Sequence, residues 1–212
     1  MRTIQTFGFY SLDPDYLEYL HSVDSEVFYD PSYRKRTKPF IGVLIGDEGC
    51  KYFIPLTSIK PKHAKWRAVS DEHFIIYELT PKDNKVPGSI YKNYNDQKDM
   101  HYIAVLDIKK MVPAPEGTFH KINLQTYPDL KYRRLLLKEQ ALFNQLKRKI
   151  SQKACQFYEK QKETGHIKRA ACNFNKLEAA MKEWIREKKK QNTVVHLRPK
   201  TKKPSQTNDL ER

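Results

Sequence analysis

The sequence lacks the features that mark membrane-spanning and secreted proteins. No apolar run in its 212 residues approaches the roughly 18 residues that a membrane-spanning helix needs. The opening stretch, MRTIQTFGFYSL, has no apolar segment ending in small residues, so it does not resemble a signal peptide. These absences predict a cytoplasmic protein with no membrane partner.

Cysteine is scarce, and histidine forms no recognisable pattern. The three cysteines, Cys50, Cys155 and Cys172, are an odd number without CxxC spacing, which argues against a disulfide framework or a zinc knuckle. The seven histidines show neither HxH nor HExxH. We therefore predict reduced thiols, no metal site and no cofactor.

Acidic residues are few relative to basic ones. The 25 Asp and Glu residues oppose 40 Lys and Arg residues, which gives a formal net charge of +15. Such an excess predicts a polyanionic partner, and in a cytoplasmic protein it favours nucleic acid over an anionic membrane surface. Two alternatives stay open at this point: a non-catalytic RNA- or DNA-binding module, and a peripheral membrane protein that uses its Lys-rich tail.

The first half of the chain has the patterns of strands. Strand-like segments cover residues 6–12, 40–45, 51–56, 73–79, 101–108 and 119–124. Between the first two lies a short predicted helix, for which Asp13 is a suitable N-cap and Pro14 suits the first helical position. The GDEG sequence at 46–49 predicts a β-hairpin between its flanking strands.

The second half changes to a helical period. From Pro128 to about Gly165, apolar residues recur at helical spacing, and a last helix is expected to start near Asn173. We predict an α+β domain over residues 1–185. Residues 186–212 carry nine Lys and Arg against three acids and two prolines, so we predict a basic, disordered tail.

The most informative short stretch is PLTSIK, at the end of the third predicted strand. In one interpretation, Thr57 and Ser58 satisfy turn amides and Lys60 is solvated. In the other, two hydroxyls and an ammonium group hold a phosphodiester and stabilise the negative charge of its transition state. The residue types alone do not decide between them.

Further candidate contacts to nucleic acid lie in a loop and on two helices. In the loop DPSYRKRTK, an aromatic ring suits base stacking and its cations suit backbone phosphates. A solvated loop, a solvated helix face and a packed tyrosine are the alternatives for these groups. The candidate residues are Tyr16, Tyr33, Arg34, Lys35, Arg36, Lys38, Arg133, Arg134, Lys147, Arg148 and Lys149.

Several motifs, in order and spacing, resemble the ToxN/AbiQ family of toxins from type III toxin–antitoxin systems. They are FYSLDPDYLEYL, DPSYRKRTKPFIGVLI, KYFIPLTSIK, YRRLLLKEQ and ACNFNKLEAAM, and the likeness spans roughly residues 7–185. The resemblance implies a curved antiparallel sheet, a barrel of the Kid/MazF type, wrapped by helices with a long C-terminal helical region. The basic tail lies outside it.

The resemblance also implies which residues act. The family's functional positions fall on Tyr16, Tyr33, Lys38, Thr57, Ser58 and Lys60. The loop between Tyr33 and Lys38 is one residue longer than in the family pattern. The family's lysine is therefore assigned to Lys38, and not to Lys35, by aligning the sequence on the PFIG motif that follows the loop. The general base is left open between a lysine of lowered pKa and a tyrosine, because an ordinary lysine with a pKa near 10.4 stays protonated.

The implied activity is metal-independent RNA cleavage. The ribose 2′-OH attacks its own phosphate and leaves a 2′,3′-cyclic phosphate and a 5′-OH. The implied partners are antitoxin RNA repeats folded as pseudoknots, held with the protein in a closed cyclic assembly, and cellular or phage RNA as substrate. The implied role is abortive infection against phage.

Overall fold

The computed structural model describes residues 8–34, 38–45 and 50–196. Its strands are β1 (Phe9–Leu12), β2 (Phe40–Ile45), β3 (Cys50–Ser58), β4 (His73–Pro81), β5 (Ile90–Asn93), β6 (Lys98–Asp107), β7 (Val112–Pro113) and β8 (Phe119–Lys121). Its helices are α1 (Pro14–Val23), α2 (Leu130–Thr164) and α3 (Phe174–His196). The predicted α+β class, with strands first and long helices after them, is confirmed. No helix in the described part of the chain is long and apolar enough to cross a membrane.

The strands form one antiparallel sheet in the order β4-β6-β3-β2-β1-β8, with β5 added to β6 and β7 added to β3. The predicted hairpin is confirmed by the β2–β3 pairing, although its turn, residues 46–49, lies outside the described residues. The predicted barrel is not formed by the strands described. Closure would require hydrogen bonds between β4 and β8, but among the described strands β4 pairs with β6 and β8 pairs with β1.

Two short strands, β5 and β7, were not predicted from the sequence. The segment IYKN of β5 is too short and too polar to stand out, and it joins the sheet only through β6. The segment VP of β7 contains a proline, which normally argues against a strand. Both exist because a neighbouring strand offers them a free edge, which is a tertiary effect.

The sheet has apolar side chains on both faces. Along β6, Ala104 and Leu106 belong to the main core, which lies under the helices. Val105 points to the other face and packs with Ile75 and Tyr102 in a smaller cluster. Alternation along the strand separates Val105 from Ala104 and Leu106. The register shift opposite Ala104 and Tyr102 brings Tyr102 to the same face as Val105. The long helix α2 packs on β2 and β4. It therefore covers the main core and lies across β3 and β6, the strands between them.

Local capping interactions set the helix boundaries; the sequence predicts those at Asp13 and Gly165, and the structure adds the cap at Asp129. At the start of α1, the Asp13 carboxylate accepts a hydrogen bond of 2.8 Å from the backbone N–H of Asp15. At the start of α2, Asp129 accepts one of 2.9 Å from the Tyr132 N–H. Gly165 ends α2 in the left-handed conformation, with φ of 66°.

The last helix begins where predicted and extends further than predicted. Asn173 caps its first turn by accepting a 3.2 Å hydrogen bond from the Lys176 N–H. The expected boundary at residue 185 falls inside α3, which continues to His196. Apolar periodicity stops near residue 185. The helix continues beyond it without an apolar face because the Arg, Glu, Lys and Gln residues that follow are good helix formers. The rest of the predicted tail lies outside the described residues.

Replacing Gly165 tests the α2 terminus. We expect Gly165→Ala to lower the free energy of unfolding by roughly 1–2 kcal/mol, because an L side chain is strained at positive φ. Gly165→Asn is the matched control and should lose less, since Asn tolerates this conformation. Urea denaturation of the three proteins measures the difference, and equal stability of the Ala variant and the parent would contradict it.

Candidate active site

The PLTSIK stretch is the end of a central strand and the turn that follows it. Thr57 and Ser58 are the last residues of β3 and pair with Val105 and Ala104 of β6. The Thr57 hydroxyl is half-buried and donates a weak 3.4 Å hydrogen bond to the Val105 carbonyl, while Ser58 is exposed. The strand end therefore presents hydroxyls at the rim of the sheet.

Lys60 is exposed, and its backbone is fixed by a histidine that the sequence analysis missed. The Lys60 N–H donates to His63 Nδ1 at 2.9 Å, and the His63 N–H donates to the Lys60 carbonyl at 2.8 Å. His63 is only 3% exposed and packs on Trp66 with ring centroids 4.6 Å apart. Burial, helped by nearby cations, lowers the pKa of His63, so the neutral ring accepts at Nδ1 and carries its proton on Nε2.

Lys38 precedes β2 and lies beside the end of β3. Burial and the charge on Lys60 together lower its pKa to about 8, with burial the larger cause and the Asp107 carboxylate opposing the shift. Its ammonium group lies 4.3 Å from the centroid of the Phe28 ring. An amine with this pKa exists in both protonation states near neutral pH.

One cleft joins Lys38, Thr57 and Ser58, whereas Lys60 is not among its lining residues. It has a volume of about 190 Å³, and it brings the sheet side of the molecule against the N-terminal part of α2. A second cleft, on the other side of Lys38, is formed by β1, the start of α1 and His120. The residues that line the first cleft are Ser32, Lys38, Pro39, Leu56, Thr57, Ser58, Ile103, Tyr132, Leu135 and Glu139.

Glu139 is the cleft residue that the sequence analysis missed. It is only 3% exposed, and burial raises its pKa to about 8. It lies four positions after Leu135 and three before Leu142, on the apolar stripe that identified the helix. An acid inside an apolar stripe was the signal that could have revealed it.

A second carboxylate is buried near Lys38. Burial raises the pKa of Asp107 to about 6, although Lys109 and Lys110 pull it down. Its Oδ1 atom is buried and receives no hydrogen bond from the described residues. Among those residues, no group of three or more His, Cys, Asp or Glu is arranged to hold a metal ion.

Tyr16 is not placed to contact RNA, which corrects the prediction from the sequence. Its side chain is fully buried, and its hydroxyl donates a 2.8 Å hydrogen bond to the Pro113 carbonyl. Its ring packs edge-on against Trp184 of α3. Burial raises the pKa of its phenol, as expected for a core tyrosine. The amphipathic pattern of α1 directs this residue inward.

The loop residues divide into those that the structure describes and those that it does not. Arg34 is paired with Asp15 at 2.6 Å and with Glu18 at 2.8 Å, so the acids of α1 partly neutralise it. The backbone of Tyr33 lies in a 3-10 turn, Pro31–Arg34, but its side chain is outside the described part. Lys35 and Arg36 are also outside the described residues.

The predicted cations of α2 differ in their surroundings. Arg133 donates a 2.8 Å hydrogen bond to the Gln125 carbonyl, which ties the start of α2 to the preceding loop. Arg134, Arg148 and Lys149 are exposed, and Lys147 is half-buried. Lys149 lines a separate cleft between α2 and β4, so the basic residues are not all directed at one site.

Comparison with known proteins gives a consistent family. The sequence model described as Toxin ToxN, type III toxin-antitoxin system, matches residues 8–182. Endoribonuclease ToxN of Pectobacterium atrosepticum is 29% identical over 148 residues, 69% of this chain and 76% of the relative. Endoribonuclease ToxN of Bacillus thuringiensis subsp. kurstaki is 25% identical over 204 residues, 90% and 93% of the two chains. Endoribonuclease AbiQ of Lactococcus lactis subsp. lactis is 24% identical over 178 residues, which cover 82% of this chain and 87% of the relative.

Solved structures share the fold. One, described as part of a bacterial antiviral system regulated by a processed non-coding RNA, has a TM-score of 0.63 at 26% identity and covers 83% of this chain and 98% of its own. Another, from a study of selective toxin inhibition by a non-coding RNA pseudoknot, has a TM-score of 0.62 at 24% identity. The match covers 84% of this chain and 96% of that chain. At 24% identity, the second likeness shows a shared fold only.

A Tyr16→Phe variant tests the corrected role of Tyr16. We expect the free energy of unfolding to fall by about 1–3 kcal/mol, because the buried Pro113 carbonyl loses its donor. Affinity for a short single-stranded RNA, measured by fluorescence anisotropy, should not change. Tyr94→Phe is the control, since Tyr94 is 52% exposed and should change neither quantity. Lost RNA affinity with unchanged stability would restore Tyr16 as an RNA contact.

Proposed function

Because the chain belongs to the ToxN family of toxins from type III toxin–antitoxin systems, we propose that it is a metal-independent endoribonuclease restrained by a repetitive antitoxin RNA. One observation carries the proposal: a single cleft joins the strand-end hydroxyls of Thr57 and Ser58 to Lys38, a lysine of lowered pKa. Support for RNA as the substrate comes from the relatives named as endoribonucleases.

The proposed reaction uses the nucleophile of the RNA itself. The 2′-oxygen loses its proton and forms a bond to the adjacent phosphorus, and the bond from phosphorus to the 5′-oxygen breaks. The products are a 2′,3′-cyclic phosphate and a 5′-OH. The protein must align the attack, accept one proton, stabilise the phosphoryl charge and return a proton to the leaving oxygen.

The end of β3 suits the stabilisation of phosphoryl charge. The hydroxyls of Thr57 and Ser58 donate to the non-bridging oxygens, and the Lys60 ammonium group adds positive charge. Lys60 is close enough to lower the pKa of Lys38, which supports its action at the same phosphate. A single donor aimed at the developing charge contributes roughly 2.7–4 kcal/mol in other enzymes. Tyr33, taken from the family resemblance, completes the proposed set of contacts.

Lys38 suits the role of general base. With a pKa of about 8, about a tenth of it is uncharged at pH 7, whereas an ordinary lysine is almost fully protonated. A base with a pKa near the working pH combines a useful basic fraction with enough driving force for proton transfer. The lowered pKa of Lys38 favours it over Tyr132, the tyrosine that lines the cleft, because burial raises the pKa of the Tyr132 phenol to about 12. The side chain of Tyr33, the tyrosine of the predicted catalytic set, lies outside the described residues.

The exposed face of α2 suits a long RNA that extends beyond the cleft. Exposed Arg134, Arg148 and Lys149 offer contacts to phosphates along α2. We propose that antitoxin repeats occupy the same groove as the substrate, so that a cleaved repeat left bound acts as a product inhibitor. Repeats that bridge neighbouring proteins would give the closed cyclic assembly, and release of the toxin during phage infection would give abortive infection.

Lys60→Ala tests the assignment of the turn. We expect RNA cleavage to fall by at least a hundredfold, since a donor worth about 2.7 kcal/mol or more is lost. Stability should change by less than about 0.5 kcal/mol, because the side chain is exposed. Lys65→Ala, an exposed lysine in the adjoining 3-10 turn, is the matched control and should keep full activity. An active Lys60→Ala protein would rule out this role.

The products test the chemistry. We expect fragments that end in a 2′,3′-cyclic phosphate and begin with a 5′-OH, formed at the same rate in EDTA. A 2′-deoxy substitution 5′ to the cut should block that cut, because it removes the nucleophile. Mass spectrometry of a short RNA gives the answer directly. Binding without cleavage would support a non-catalytic module, and magnesium-dependent 5′-phosphate products would mean hydrolysis by water.

A further inference from the structure

Glu139 belongs to the cleft of the proposed reaction and faces it from the helix side. Lys38, Thr57 and Ser58 come from the sheet side, whereas Glu139 comes from α2. Its neighbours along the buried face of α2, Leu136 and Phe143, are core residues with 1% exposure each. A carboxyl group at this position is isolated from bulk water except through the cleft.

The carboxyl of Glu139 has no hydrogen bond or ion pair with any residue that the structure describes. Buried acids are normally paired, and Glu178 follows that rule, whereas the buried Oδ1 of Asp107 receives no hydrogen bond from the described residues. Glu178 accepts hydrogen bonds of 2.7 Å from Tyr52 and Tyr158, and it pairs with Lys162. These contacts lower the pKa of Glu178, whereas burial without a partner raises that of Glu139. Structural stability gives no reason for an unpaired acid at this position.

The titratable groups that share the cleft with Glu139 are few. Tyr132, on the same helix, is neutral near physiological pH because burial raises its pKa to about 12. Lys38 faces the cleft from the sheet side, with Lys60 and Asp107 beyond it. Burial raises the pKa of Glu139, and no hydrogen bond or ion pair within the described part of the chain joins its carboxyl to the Lys38 ammonium group. Both groups line the same cleft of about 190 Å³, Lys38 from the sheet side and Glu139 from α2.

We propose that Glu139 is the general acid of the cleavage reaction, donating its proton from the α2 side of the cleft to the leaving 5′-oxygen. The inference rests on the proposed ribonuclease activity. In the balanced step, Lys38 accepts the 2′ proton as the 2′-oxygen bonds to phosphorus, the bond to the 5′-oxygen breaks, and that oxygen takes the proton of Glu139. The cycle ends when Lys38 loses a proton to solvent and Glu139 regains one.

The roles follow from the charge states that burial favours. A buried carboxyl without a cation partner stays protonated at neutral pH and is ready to donate, while a buried lysine beside another cation tends to lose its proton. The wild-type rate should rise with pH as Lys38 deprotonates near pH 8 and fall as Glu139 deprotonates in the same range. The pH–rate profile should therefore be bell-shaped, with its maximum near pH 8.

Glu139→Gln is the first test. It keeps the shape of the side chain and removes the transferable proton, so cleavage should slow by about 10²–10⁴-fold. The descending alkaline limb of the pH–rate profile should disappear. Glu163→Gln, at an exposed position near the end of the same helix, is the matched control and should leave the rate and the profile unchanged. Binding of a 2′-deoxy-substituted RNA, measured in parallel, reports whether Glu139→Gln retains a folded site.

A modified substrate separates an acid from a structural residue. When sulfur replaces the bridging 5′-oxygen at the cut, the leaving thiolate needs no proton. Glu139→Gln should then cleave this RNA within about tenfold of the wild-type rate, and wild-type protein should lose its alkaline limb on it. The wild-type measurement does not depend on whether the variant folds.

The outcomes distinguish the two proposals. If wild-type protein leaves RNA intact, the proposed function fails and the role of Glu139 fails with it. If wild-type protein cleaves RNA and Glu139→Gln behaves like Glu163→Gln, only the role of Glu139 is overturned. A slow variant that the sulfur substrate does not rescue, together with a wild-type alkaline limb that persists on that substrate, also overturns it.

Discussion

The packing of α2 on the sheet is the constraint on which the candidate site depends. The helix lies on β2 and β4 and buries residues such as Leu136 and Phe143 in the main core. This burial fixes the rotation of α2 about its axis, and the rotation places Tyr132, Leu135 and Glu139 over the end of β3. The cleft is a consequence of core packing, because without α2 the hydroxyls at the strand end would face open solvent.

Desolvation then gives the groups in the cleft their chemical character. Lys38 and Glu139 carry opposite charges when ionised, and burial disfavours the charged form of each. Their pKa values therefore move toward each other and toward neutrality, which is the range in which a proton donor and a proton acceptor are most useful. No unusual residue type is required, since an ordinary lysine and an ordinary glutamate acquire these properties from their surroundings.

The turn after β3 is held by a stack of rings. Trp66 lies between His63 and His73, with ring centroids 4.6 and 4.5 Å away. His63 fixes the Lys60 backbone, and the two His73 nitrogens are engaged by Ser70 and by the Arg67 carbonyl, each at 2.9 Å. Burial lowers the pKa of both histidines, so the stack is neutral at physiological pH. A neutral, packed support can position the exposed Lys60 without adding charge to the site.

The sequence by itself determined six of the eight strands that the structure describes, the three helices, their capping by Asp13, Asn173 and Gly165, and the PLTSIK stretch, because these depend on local periodicity and turn chemistry. Only the tertiary structure decided which groups share a cleft. In the structure, Tyr16 is buried and Arg34 pairs with the acids of α1. Glu139 lines the same cleft as Lys38, although the two lie far apart in the sequence. Burial and pairing depend on contacts between distant segments, and residue type alone does not encode them.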